Sequence, residues 1–261
     1  MMPKESGIVD IRYFACGELP FTDGHSPGNL QSLYAFPKSV HAIGARIARK
    51  LRELGYTIPG YDHVYIVFTP VQAARTVRPS RVVLESWQRH FSVGADPAQV
   101  GALDGAEREA FVVDATLRVL RRIAGTDACK RAMLRQVGRE IARDGENLEI
   151  FHREFSSKAL QARVSYRIHA SGMRGSGWIE IEERATGRRA RQAFVDLDAY
   201  DDLYALVDRV TVTKGVVTMT PRKSASAGMV VRRYQTPMRV DIEALLTGKA
   251  IGRYLPRPAR R

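Results

Sequence analysis

Three glycines and an arginine fall within the six residues GMRGSG, 172–177, a composition that suits loops wrapped around phosphate. The order is not GxGxxG, and the segment leads into the strand-like WIEIE rather than into a helix, whose first N–H groups would hold the anion. It therefore reads as a hairpin connection between strands that end near Ala170 and begin at Trp178. Ser176, in RGSGW, also lacks the GxSxG frame of a nucleophile elbow.

The histidines at 25, 41, 63, 90, 152 and 169 never fall into HxH, HxxxH or HExxH spacing. Glu149 and His152 would share a face only on a helix, and their context, LEIFHREF, favours a strand. Neither a metal site nor a cofactor is expected. Two Asp–His pairs are the candidates for acid–base work: Asp23 with His25 in the loop FTDGHSPGN, and Asp62 with His63 in YDHVY, where the acid would orient the base. Such residues among Gly and Pro more often satisfy turn backbone groups, so no catalytic residue is assigned.

Residues suited to binding are more numerous. Arg163, Arg167 and His169 share one face of the alternating segment LQARVSYRIHA, and Arg189 and Arg191 of the next hairpin extend it. Such a face can meet the phosphates of a nucleic acid or an acidic protein surface. Glu180, Glu182 and Glu183 on the intervening strand would neutralise part of it. Arg174 in the glycine-rich connection and Trp178 beyond it are the residue types that anchor protein interfaces.

The elements that must carry these residues point to an α+β fold. IVDIRYFACG, 8–17, reads as a strand; Val40, Ile43, Ile47, Leu51 and Leu54 have helical spacing, with Arg46, Arg49, Lys50 and Glu53 opposite and Gly55 as the cap. His63 to Thr69 reads as a buried central strand, and WQRHFSVGADP as a strand with Gln88, His90 and Ser92 on a solvated face. Helices are expected over 105–124 and 126–143, the second capped by Thr126, with eight basic residues and two acids between Arg118 and Arg143. Beyond 147 the texture becomes a largely antiparallel sheet of hairpins, turning at ATGR and at Lys214–Gly215, with one short helix in DLDAYDDLYALVDRV. The chain reads as a single α+β domain, or alternatively as an α/β part to 147, a β-rich part over 148–248 and a solvated basic tail over 249–261.

A net charge of +13 favours an acidic partner, although 33 of the 41 basic residues are arginine, as GC-rich coding alone produces. No stretch is apolar enough to span a membrane and MMPKESG is not a signal peptide, so a cytoplasmic protein without a membrane partner is expected. Cys16 and Cys129 are expected to be reduced and mostly buried.

At YDHVYIVFTP, WQRHFSVGADP and DLDAYDDLYALVDRV the texture resembles the immunity proteins and related cytoplasmic proteins carried beside bacterial polymorphic toxins, a resemblance that extends over about half of the chain. Those proteins share no invariant catalytic motif, so no site residue is transferred. The resemblance implies a non-enzymatic inhibitor that neutralises a toxin by stoichiometric protein binding. The alternative is a protein that binds or processes nucleic acid through the basic sheet face.

Overall fold

A computed structural model describes residues 5–17, 31–34, 36–37, 39–81, 83–170 and 174–257. The fold is α+β, and the chain divides into two compact units: one holds the described residues up to Leu148 together with Ala170, the other the remainder.

In the first unit, β1 (Glu5–Gly7) pairs antiparallel with β3 (Thr57–Pro59). The main sheet has the order β2 (Asp10–Ala15), β4 (His63–Thr69), β6 (Gln88–Gly94), β5 (Val77–Pro79), with the first three parallel and β5 antiparallel at the edge. Helices α1 (Gln31–Tyr34), α2 (Val40–Glu53), α3 (Pro97–Ala102), α4 (Gly105–Ala124) and α5 (Ala128–Asp144) complete it, followed by a short 3-10 turn at Gly145–Asn147. Ile11, Tyr13, Ile66, Phe68, Phe91 and Val93 of the sheet share one core with Ile43, Ile47 and Leu51 of α2, Val112 and Leu120 of α4, and Val137 and Ile141 of α5. Each fully buried aliphatic or aromatic side chain there contributes roughly 1.5–3 kcal/mol.

Four expectations change in this unit. Arg46 does not lie on a solvated face: α2 packs against β2, α4 and α5 together, so little of its surface meets water, and Arg46 is 1% exposed. β6 has no solvated face either: Tyr65 packs on His90, with ring centroids 5.0 Å apart, Gln72 lies over Ser92, and Gln88, His90 and Ser92 are all buried while Trp87, just outside the strand, is 43% exposed. Gln72 donates from Nε2 to Ser92 Oγ, which satisfies one of these buried groups. The second long helix is capped by Asp127 rather than Thr126, its Oδ1 accepting the Lys130 N–H at 2.9 Å. Cys16 is half-buried, but Cys129, in the first turn of α5, is exposed.

The second unit contains a four-stranded antiparallel meander, β7 (Ile150–Ser156), β8 (Leu160–Ile168), β9 (Gly175–Glu183) and β10 (Arg189–Leu197). Helix α6 (Asp202–Leu206) follows, then a three-stranded antiparallel sheet of β11 (Arg209–Thr213), β12 (Val216–Thr220) and β13 (Met238–Asp241). Two more short helices, α7 (Ala225–Val231) and α8 (Ile242–Leu246), join the one expected. The hairpins turn where the sequence places them, with Gly187 at φ 71° and Lys214 and Gly215 at φ 49° and 75°. Val164, Tyr166 and Ile168 of β8 and Ile179 and Ile181 of β9 form the inner face of the meander, all at 0% exposure.

Asp202, at the start of α6, is 4% exposed and accepts from Arg233 Nη2 at 2.6 Å, from the Tyr234 hydroxyl at 2.8 Å and from the Ala199 N–H at 3.2 Å. The C-terminal segment is not wholly a free tail, since Tyr254 exchanges backbone hydrogen bonds with β10 through Phe194 and Asp196.

Candidate binding face

Strand alternation places every second side chain of β8, β9 and β10 on the outer side of the meander. Along β8 these are Arg163, Ser165 and Arg167; along β9, Ser176, Trp178, Glu180 and Glu182; along β10, Arg189 and Arg191. Register sets Ser165, Trp178 and Ala193 side by side, and Arg163, Glu180 and Arg191 in the next row. Arg163, Arg167, Trp178, Arg189 and Arg191 are therefore brought together on this face, and His169 continues it just beyond β8.

Trp178 lies at the centre. The guanidinium carbons of Arg167 and Arg191 lie 4.2 and 4.6 Å from its ring centroid, within the range where the π-face attracts a cation. Both cations also pair with one carboxylate, Glu149: Arg167 Nη2 donates to Oε1 at 2.9 Å, and Arg191 reaches the same oxygen. Ser165 Oγ donates to the other oxygen at 3.2 Å. Partial burial draws the Arg191 pKa below its ordinary value. The Trp178 indole N–H donates to Ser176 Oγ at 3.0 Å, and the Ser176 hydroxyl is 3.1 Å from His169 Nε2. Ser176 is buried in β9, so this Ser–His contact orders the tryptophan and offers no nucleophile to a substrate.

The acids of β9 take up part of the charge, as expected. Arg189 pairs with Glu182 and, at 3.3 Å, with Glu180, and these carboxylates raise its pKa. Arg163 rests 5.0 Å from the Phe151 ring centroid and has no ion pair among the described residues. Glu149 was not recognisable as a member of the face, because its strand begins only at Ile150 and its partners come from β8 and β10. Ser176 was obscured by the glycine-rich reading: Gly175, Ser176 and Gly177 belong to β9, not to the connection. A Cβ on Gly177 would come within 2.5 Å of Val195 Cγ1, so glycine serves close packing there.

Arg174 lies opposite His169 and is exposed. It sits ahead of β9, its carbonyl accepting the His169 N–H at 3.0 Å, while residues 171–173 lie outside the described residues. Asp23 and His25 are also outside them. Asp62 and His63 do meet, the His63 Nδ1–H donating to Asp62 Oδ1 at 2.6 Å. They sit at the N-terminal end of β4, and His63 packs edge-on to Trp87, whose carbonyl accepts the His63 backbone N–H at 3.1 Å. An oriented imidazole is present there, and among the described residues its ring is bonded to no serine, threonine or cysteine that it could activate.

No protein-family model, curated protein or solved structure matches the chain. Among the described residues, no group of three or more His, Cys, Asp or Glu side chains is placed to hold a metal ion, and no helix is long and apolar enough to cross a membrane.

Proposed function

We propose that this chain is a non-enzymatic binding protein that docks an acidic protein through the outer face of β7–β10, and that it acts as an immunity-type inhibitor neutralising a toxin by stoichiometric capture. The observation that carries this reading is Trp178 held beneath Arg167 and Arg191, with Glu149 fixing both cations. A preordered aromatic flanked by arginines loses little side-chain entropy on association, which is how interface anchors earn affinity. Arg163, without an ion pair, supplies the steering charge at the side of this cluster.

The internal acids favour a protein over a nucleic acid. Glu149, Glu180 and Glu182 lie among the arginines, and a phosphate backbone would meet their repulsion at every step. A protein surface can instead match a mosaic of both signs.

The test is co-expression with the products of the genes that flank this chain's own, scored by toxicity and its rescue in growth and by a 1:1 complex in size-exclusion chromatography. Trp178→Ala combined with Arg163→Glu should abolish rescue and complex while keeping a single cooperative thermal transition, at a midpoint lowered by the loss of the half-buried indole. Rescue that survives the double substitution would move the docking face elsewhere. Absence of any complex, together with steeply salt-dependent binding of a generic RNA or DNA 20-mer, would replace this reading by the nucleic-acid one.

A further inference from the structure

A cavity of about 660 Å³ opens between α4 and α5 of the first unit, within the ~300–1,000 Å³ range of small-molecule sites. Its walls are apolar: Ile43 from α2, Ala110, Val113 and Leu117 from α4, Leu134 and Ile141 from α5. The two long helices approach closely at one point, where a Cβ on Gly138 would lie 2.8 Å from Leu117 Cδ1, and the cavity lies along this seam.

Arg46 of α2 also lines the cavity. It is 1% exposed, and its Nε and Nη2 are buried without a hydrogen-bond partner among the described residues. Those two nitrogens present parallel N–H bonds along one edge of the guanidinium, the geometry that grips a carboxylate or phosphate with two bonds. Glu109 and Glu146 act on Arg46 only through space, and neither bonds to it. Burial pulls its pKa below the ordinary arginine value, the mark of a cation short of compensation. A buried charged group left unpaired is strongly destabilising unless something completes it.

The rest of the charge at the cavity also favours an anion. Arg121, Arg135 and Arg139 line it with Arg46, against Glu109 and Asp114, and Asp114 is already engaged by Arg118 at 2.6 Å.

We propose that the α2–α4–α5 cavity is a binding site for a small amphiphilic anion, an aliphatic chain along the apolar walls with its carboxylate head on Arg46. This site is independent of the sheet face and of its partner. An anion there would supply the acceptors that Arg46 lacks, and the tail would cover the helical seam.

The full chain is titrated with decanoate below its micellar concentration, using 1-decanol and decyltrimethylammonium as same-tail controls, by calorimetry and thermal shift. Decanoate is expected to bind at one site per chain and to raise Tm, with the alcohol at least about tenfold weaker and the cation without effect. Arg46→Met should remove the preference for decanoate over decanol and fold at least as stably as the parent, since it replaces an uncompensated charge with a buried thioether. Ala110→Trp, which fills the cavity and spares Arg46, should abolish binding of both. Equal affinity for acid and alcohol, several equivalent sites, or binding that survives both substitutions would overturn the proposal. Unfolding of Arg46→Met together with undiminished decanoate binding by Ala110→Trp would overturn it too, and would make Arg46 a structural residue.

Discussion

Ser176 Oγ accepts the indole N–H of Trp178 at 3.0 Å from two residues away on the same strand. Adjacent same-face positions of a strand are too far apart for most side chains to touch, and only the reach of the indole closes the gap. Ser176→Ala should release the ring, at a cost of about 1 kcal/mol for the lost bond to a buried hydroxyl. In a Trp87→Phe background, Trp178 emission should shift red and its acrylamide quenching rise. An unchanged spectrum would mean that the arginines alone hold the ring.

His152 is 8% exposed and its Nε2–H donates to the Val207 carbonyl at 2.6 Å. Burial pulls its pKa down from 6.5 to about 4, opposed by that hydrogen bond and aided by Arg153 and Arg222. The folded state therefore holds the imidazole neutral where the unfolded chain protonates it. The stabilisation is complete above pH 6.5 and is lost as pH falls towards 4, by about 3 kcal/mol in all. His152→Gln, which retains a donor for Val207, should flatten that part of the urea-unfolding pH profile. A slope identical to the parent's would assign the acid sensitivity to other groups.

Asp202 ties Arg233 and Tyr234, which follow α7, to the start of α6. Arg233 keeps 40% of its side chain in water, so the ion pair is worth less than a fully buried one. Asp202→Asn is expected to cost about 2 kcal/mol in urea midpoint analysis, and Arg233→Met less, because it leaves the tyrosine and backbone donors in place. Equal losses would mean that the guanidinium carries most of the interaction.

Gly177 faces Val195 and Phe194 of β10 with no space for a methyl group. Gly177→Ala should cost about 1–3 kcal/mol through overpacking, despite the gain in β-propensity, with the loss read as a lower thermal midpoint. A neutral result would show that the bulge between Ala193 and Val195 yields to make room.

Local pattern made much of the fold legible. The alternation of LQARVSYRIHA placed β8 and sorted Arg163 and Arg167 to one face, and the apolar spacing of α2 and α4 placed both helices to within a residue or two. These features depend on side-chain period and turn chemistry, which a neighbourhood of ten residues contains. Burial depends instead on what lies across the element. Helical spacing put Arg46 with the solvated residues, but α2 meets partners on several sides; alternation gave β6 a wet face, but Tyr65 and Gln72 cover its polar side chains. The union of Arg167 and Arg191 at Glu149 joins residues 18 and 42 positions from that acid, and the Arg46 cavity joins three helices. The sequence by itself determined the elements, their polarity and the arginines available for binding. Which of those arginines are paired, stacked on an indole or buried without an acceptor was decided only by the tertiary structure, because a charge's environment is set by groups distant in the chain.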